Sequence, residues 1–319
     1  APGVRDDLIE ISQNALYPAI VRATALSLLR SYPGGATDDA MKRALADDEP
    51  IVRHTASDSL TVTDPEELSS LVAPMLFDSV RAVRMRAVAL LAQVPRELLK
   101  PYQQEMFDEV LAEYVKAMEY SLDFSFAGLN LGNLYAARGE LKQAERSYRA
   151  AIEIDDLFYP AKMNLAVLLS QQGRNEQAET LLREVLEAHP ELYDAAYSLG
   201  LLLVEMGRHA EAVTFLRRAA SGLPTASRIR YNLGLLLQQE GRIDDAGVEL
   251  EKAVELEPDN LDYLYALTDH YIKRGRLSNA LAVAERMIAV HPDNQLGHQL
   301  KALIERGSTP SRHIVPLNE

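Results

Sequence analysis

The sequence predicts an all-α fold, a continuous α-solenoid built from two kinds of helix-pair repeat. Three observations predict it. One pattern recurs every 34 residues after about residue 125. A different pattern recurs every 31 residues in the first hundred. No glycine-, serine- or proline-rich linker separates the two.

In residues 1–100 the segments AIVRATALSLL, PIVRHTASDSL and RAVRMRAVALL align. Val21-Arg22, Val52-Arg53 and Val83-Arg84 superimpose. So do Ala25, Ala56 and Ala87, then Leu29, Leu60 and Leu91. Asp47 and Asp78 precede two of these segments and read as helix N-caps. The ladder Arg22, Arg53, Arg84 predicts pairing with acidic residues between repeats; an anion-binding row is the alternative. Val80–Arg86, VRAVRMR, is locally basic and is the best candidate basic patch of the chain. Residues 101–122, PYQQEMFDEVLAEYVKAMEYSL, read as one long helix. Tyr114 and Ala117 fall one 34-residue period before Tyr148 and Ala151. Residues 101–124 therefore read as the second half of a later-type repeat, connecting the two patterns.

From 125 to 294 five units follow without insertion. Glycines stand at 139, 173, 207, 241 and 275, each expected to end a first helix in a left-handed conformation. Alanines stand at 144, 178, 212, 246 and 280, where a small side chain lets two helices cross closely. Asp156, Pro190, Pro224, Pro258 and Pro292 mark the turn into the next unit. Leu131, Leu165, Leu199, Leu233 and Leu267 lie eight residues before the glycines. Helix pairs this short cannot bury an apolar face alone, so they must stack. QLGHQLKALIERG within 295–319 reads as a capping helix, and STPSRHIVPLNE as an irregular tail.

These positions resemble the tetratricopeptide repeat (TPR) family over about 125–294, although the family's early aromatic is replaced by Gly128, Lys162, Ala196, Arg230 and Leu264. The first hundred residues resemble short HEAT-like repeats of the bacterial kind. In those, a second-helix arginine often bonds a neighbouring acidic residue. HEAT-like then TPR units in this order are similar to the C-terminal scaffold part of bacterial multihaem c-type cytochromes. That resemblance implies association with a multihaem electron-transfer assembly, and a periplasmic or extracellular setting with the cytoplasm as alternative.

Chemistry is sparse in the sequence. The net charge of -14, most of it beyond residue 100, argues against nucleic acid as a partner. Without cysteine, disulfides, thiolate metal sites and haem attachment within these residues are excluded. No run of apolar residues is long enough to span a membrane, and APGVRDDL carries no basic-then-apolar signal pattern. Phosphate-loop, dinucleotide, nucleophile-elbow and HExxH motifs are absent. The chain therefore reads as non-enzymatic, with no cofactor or metal. His189 and His291 read as helix C-terminal residues favoured by the dipole. Acidic doublets at 6–7, 38–39, 47–48, 155–156 and 244–245 read as helix-start residues rather than calcium or catalytic pairs.

If the family geometry holds, the first helices line a groove. Its predicted lining includes Asn130, Asn133, Asn164, Tyr197, Arg228, Tyr231, Asn232 and Tyr265. Asparagine amides offer a donor and an acceptor to an extended peptide, and tyrosines add rigid area with a polar tip. Two readings stay open: the asparagines face a ligand, or they bond the neighbouring helix. The carboxylate clamp of chaperone-binding TPR domains is broken. Asn133 and Asn164 match its asparagines, but Leu129, Asp194 and Ser198 stand at the basic positions. The function expected is a scaffold holding a protein or peptide in the groove. Self-association through exposed helix faces stays open.

Overall fold

The computed structural model describes residues 2–306. The expected tail, 308–319, lies outside them. Among the described residues the regular structure is helical, with no strand. The chain forms two compact units, residues 1–164 and 165–319.

The first unit begins with α1 (Pro2–Gln13), α2 (Ala19–Leu29), α3 (Gly35–Ala44), α4 (Pro50–Asp58), α5 (Pro65–Val72) and α6 (Arg81–Leu91). The long helix is present as α7 (Pro101–Tyr120), followed by the pair α8 (Ser125–Ala137) and α9 (Leu141–Ile154) and the start of α10 (Tyr159–Gln171). One apolar core runs from Leu26 and Leu29 through Met41, Val52, Leu76, Val83 and Leu91 to Phe107, Tyr114 and Leu134. The 31-residue period is thus a packing period: Ala25, Ala56 and Ala87 are all buried. Val52 and Val83 are buried too, but Val21 is 40% exposed, because no earlier helix pair lies against it among the described residues.

The arginine ladder is an ion-pair ladder. Arg22 pairs with Asp47. Arg53 grips Asp78 with Nε at 2.7 Å and Nη2 at 2.9 Å, and its Nη1 donates to the carbonyls of Asp47 (2.6 Å) and Asp48 (2.9 Å). Arg84 donates to the Asp78 carbonyl at 2.9 Å and to Glu113 at 3.2 Å. Arg53 and Arg84 therefore each tie their own helix to the turn before it and to an acidic residue further along the chain, while Arg22 makes the second link alone. A planar fork with several donors can do this; an ammonium cannot. Asp47 and Asp78 are not the N-caps expected from the sequence. The caps are Glu49 and Val80, without side-chain cap bonds. Each aspartate sits two residues earlier and accepts from the Glu49 or Val80 N–H; Asp47 does so with one oxygen and holds Arg22 with the other, whereas Asp78 gives both oxygens to Arg53 and shares Oδ1 with the Val80 N–H. Nor is Val80–Arg86 a free basic patch. Arg81 and Arg84 both pair with Glu113, and Arg86 with Asp58.

The second unit continues with α11 (Asn175–Ala188), α12 (Tyr193–Glu205), α13 (His209–Gly222), α14 (Ser227–Gln239), α15 (Ile243–Leu256), α16 (Leu261–Lys273), α17 (Leu277–Val290) and α18 (Gln295–Glu305). α18 stands within the stretch read as a terminal helix and packs against α17. The five turn glycines adopt φ between 70° and 73°. At Gly173 the following N–H, on Arg174, bonds back to the Leu169 carbonyl at 2.9 Å, and the same bond recurs after Gly207, Gly241 and Gly275. This six-residue closure satisfies carbonyls at the helix end and needs a left-handed residue before it. The five crossing alanines are fully buried, and the five leucines are buried with them.

The acidic doublets divide. Asp38 and the pair Asp244-Asp245 lie in first turns. Asp6-Asp7 lies inside α1, and Asp155 caps the C-terminal end of α9, so neither of these begins a helix.

Candidate functional site

In the first unit the asparagines are engaged by neighbouring helices. Asn133 Oδ1 accepts from the Tyr148 hydroxyl at 2.9 Å and from Asn164 Nδ2 at 2.7 Å, linking α8, α9 and α10. Burial pushes the Tyr148 hydroxyl up to about 12, so it stays a donor. Among the described residues Asn130 Nδ2 reaches only the Met118 sulfur, at 3.7 Å. The neighbouring-helix reading therefore describes Asn133 and Asn164 directly. Both acceptor sites of Asn133 are taken, while each amide keeps an N–H that these bonds do not use.

In the second unit the first helices α12, α14 and α16 bring a different set together. Asn232 Nδ2 donates to the Tyr197 hydroxyl at 2.7 Å, bridging α12 and α14. Tyr231 packs on Tyr263 with ring centroids 4.8 Å apart, bridging α14 and α16. Tyr263 is buried, and its hydroxyl lies 3.4 Å from Ser227, which bonds Glu257. Sequence reasoning missed Tyr263, which sits two residues before a predicted groove position and looks there like plain core. Burial raises Tyr197, Tyr231 and Tyr265, so all three are neutral hydroxyls over the ordinary pH range. The exposed Arg228 guanidinium lies beside the Tyr197 hydroxyl and makes no ion pair among the described residues. Tyr265 is half-buried on α16 near Asp269. The face thus offers aromatic area, an amide and a guanidinium without an ion pair among the described residues, with the Asp262 carboxylate also near Tyr231.

His189 and His291 are helix C-cap residues, as expected. His270, which sequence reasoning did not single out, is buried in the last turn of α16. Gly247 makes room for it: a Cβ there would come within 2.7 Å of Nε2. Burial first, then Arg274 and Arg276, depress its pKa below 6.5, against a weaker pull from Glu251 and Asp269. A depressed histidine stabilises the fold while neutral in both states, above the ordinary value. That contribution is lost as pH falls from the ordinary value towards the folded one. Thermal melts from about pH 8 to about pH 5 are therefore expected to show a fall in stability below about pH 6.5. His270→Gln is expected to flatten that fall; an unchanged pH profile would remove His270 from the account.

Among the described residues no group of three or more His, Asp or Glu is placed to hold a metal, and no helix is long and apolar enough to cross a membrane.

Antiparallel helix pairs with a left-handed glycine at each hairpin and an alanine at each crossing define an α-solenoid repeat protein. Models of the tetratricopeptide repeat match residues 129–156, 163–227 and 237–304, together about half of the chain. The chain belongs to the tetratricopeptide repeat family over this span. No curated protein matches the sequence. Among solved structures, YrrB, a TPR protein with an unusual peptide-binding site, is 25% identical with a TM-score of 0.50, covering 60% of this chain and 98% of its own. PilF of Pseudomonas aeruginosa is 24% identical with a TM-score of 0.50, over 60% and 86%. A MamA double mutant from strain RS-1 is 19% identical, also at 0.50, over 53% and 95%. The last two speak to the fold alone.

Proposed function

We propose that the chain is a non-enzymatic interaction scaffold, and that the first-helix face of the second unit holds an extended segment of a partner protein. The observation that carries this reading is the exposed, unpaired Arg228 beside a tyrosine–asparagine face. Arginine there can receive a carboxylate or backbone carbonyls, and Tyr231 offers a rigid ring already seated on Tyr263. The second N–H of Asn232 and the amide oxygen stay available for backbone recognition. The peptide-binding site of YrrB supports a peptide as the ligand class. Within this reading, residues 1–100 are HEAT-like pairs, 101–124 a connecting helix, 125–294 the TPR units and 295–319 a cap and tail. Asn130, Asn133 and Asn164 form a second, smaller polar face in the first unit.

Affinity capture from the source cell, with the parent chain and with Tyr231→Ala/Arg228→Ala as baits, tests the assignment. The double variant is expected to lose roughly tenfold or more of partner affinity with unchanged helicity. Equal recovery by both baits would sink the groove assignment.

A further inference from the structure

One edge of the first unit is apolar, aromatic and acidic at once. The end of α7 and the turn into α8 expose Tyr120 (92%), Leu122 (37%), Phe124 (61%) and Phe126 (47%). Phe124 and Phe126 stack on each other with centroids 5.7 Å apart, so each ring's exposed side is fixed rather than folded inward. The end of α9 lies beside them, because α8 and α9 pack antiparallel. A Cβ on Gly128 would come within 3.0 Å of the Ala151 Cβ. That brings Ile154 (43%) and Leu157 (62%), both exposed, to the same edge. Soluble surfaces seldom group so many large apolar side chains without a use.

Along the two segments that carry this patch, beyond Lys116 and Arg149, the charges have one sign. Glu119, Asp123, Glu153, Asp155 and Asp156 are all exposed. No basic residue occurs between Lys116 and Arg138, nor between Arg149 and Lys162. None of the five carboxylates makes an ion pair among the described residues. Surface charge nearby behaves otherwise: Arg149 pairs with Glu145 and Arg96 with Asp108.

We infer that this edge docks a cationic segment of a partner protein that also carries apolar side chains. Aromatic and aliphatic groups supply the desolvated centre of such a contact, and a ring of carboxylates supplies its rim and its steering. The same charge selects against two other occupants. A second copy of this chain, at net charge -14, would bring like charge to a like-charged rim. An anionic lipid surface would be repelled for the same reason.

The test uses the intact chain and a fluorescein-labelled peptide of alternating lysine and leucine, with the glutamate–leucine counterpart as control. The cationic peptide is expected to bind, more weakly as salt rises. Tyr120→Ser/Leu157→Ser and, separately, Asp123→Asn/Asp156→Asn are each expected to lower its affinity by roughly tenfold. Asp259→Asn/Asp293→Asn, which removes the same charge from the second unit, is expected to leave it unchanged. The proposal is overturned if the patch variants bind like the parent, if the charge control loses as much, or if the glutamate–leucine peptide binds equally. Sedimentation showing a dimer abolished by Tyr120→Ser/Leu157→Ser, or capture by phosphatidylserine vesicles, would assign the edge to the rival occupants and also overturn it.

Discussion

Replacing Arg53 with alanine is expected to lower the stability of the first unit by about 3 kcal/mol. The side chain and its partner Asp78 are only 14% and 8% exposed. Removing the guanidinium leaves a carboxylate and two carbonyls facing space that water reaches poorly, and an unpaired buried acceptor costs more than its bond contributed. Arg53→Lys keeps the charge but cannot span Asp78, Asp47 and Asp48 together, so most of the loss is expected to remain. There is an acid-side signature as well. Burial alone raises the Asp78 carboxyl, but the Arg53 bonds, the Val80 N–H and Arg84 outweigh it and hold the pKa below 3.8. A depressed carboxylate stabilises the fold above its ordinary pKa and ceases to do so as pH falls through the folded one. The variant is therefore expected to lose less than the parent when taken below about pH 4. Urea midpoints, with hydrogen exchange in α4 and α6, measure both effects. A midpoint within about 0.5 kcal/mol of the parent would contradict the ladder.

Gly128→Leu is expected to destabilise the α8–α9 hairpin by about 3 kcal/mol, near the upper end for overpacking. A Cβ at Gly128 would lie 2.8 Å from the Ser147 carbonyl oxygen and 3.0 Å from the Ala151 nitrogen and Cβ. Backbone atoms cannot swing aside as a side-chain tip can, so the two helices must separate. The sign of Gly128→Ala is the sharper readout. Alanine for glycine inside a helix ordinarily stabilises by up to about 1 kcal/mol; here it is expected to destabilise. Gly35→Ala, in the first turn of α3 with nothing within 4 Å, provides the ordinary sign. Thermal melts of the three variants decide the matter, and a stabilising Gly128→Ala would show that the helices are not in such close contact.

The period was the most legible part of the chain. A 34-residue spacing without insertion placed the left-handed glycines, the crossing alanines and the buried leucines, because each is a steric requirement of the repeat itself. The 31-residue spacing placed the arginine ladder for the same reason. What periodicity could not supply was direction. Asp47 and Asp78 read as caps, but an aspartate before a helix can brace a turn or hold an arginine equally well, and here it does both. Val80–Arg86 read as basic because its partners, Glu113 and Asp58, lie some 30 residues away in either direction. The asparagine column was visible, yet whether an amide turns to a ligand or to the next helix depends on its rotamer. Asn133 and Asn164 turn to each other, and Asn232 turns to Tyr197. Gly128 was noted only as a missing aromatic, although its neighbours explain it. His270 had one available signal, the glycine at 247, a period-related position where glycine leaves a vacancy for a ring from the next helix.

The reading of this chain as a scaffold rests on the tyrosine–asparagine–arginine face of α12, α14 and α16. Its most direct measurement is site-specific photocrosslinking in the source cell, with a benzophenone amino acid placed at Tyr231 and, as comparison, at Lys252 on the second helix α15. A discrete adduct with a partner protein is expected from position 231, suppressed by Arg228→Ala, and none from position 252. Adducts of equal yield from both positions, or none from 231, would contradict this reading.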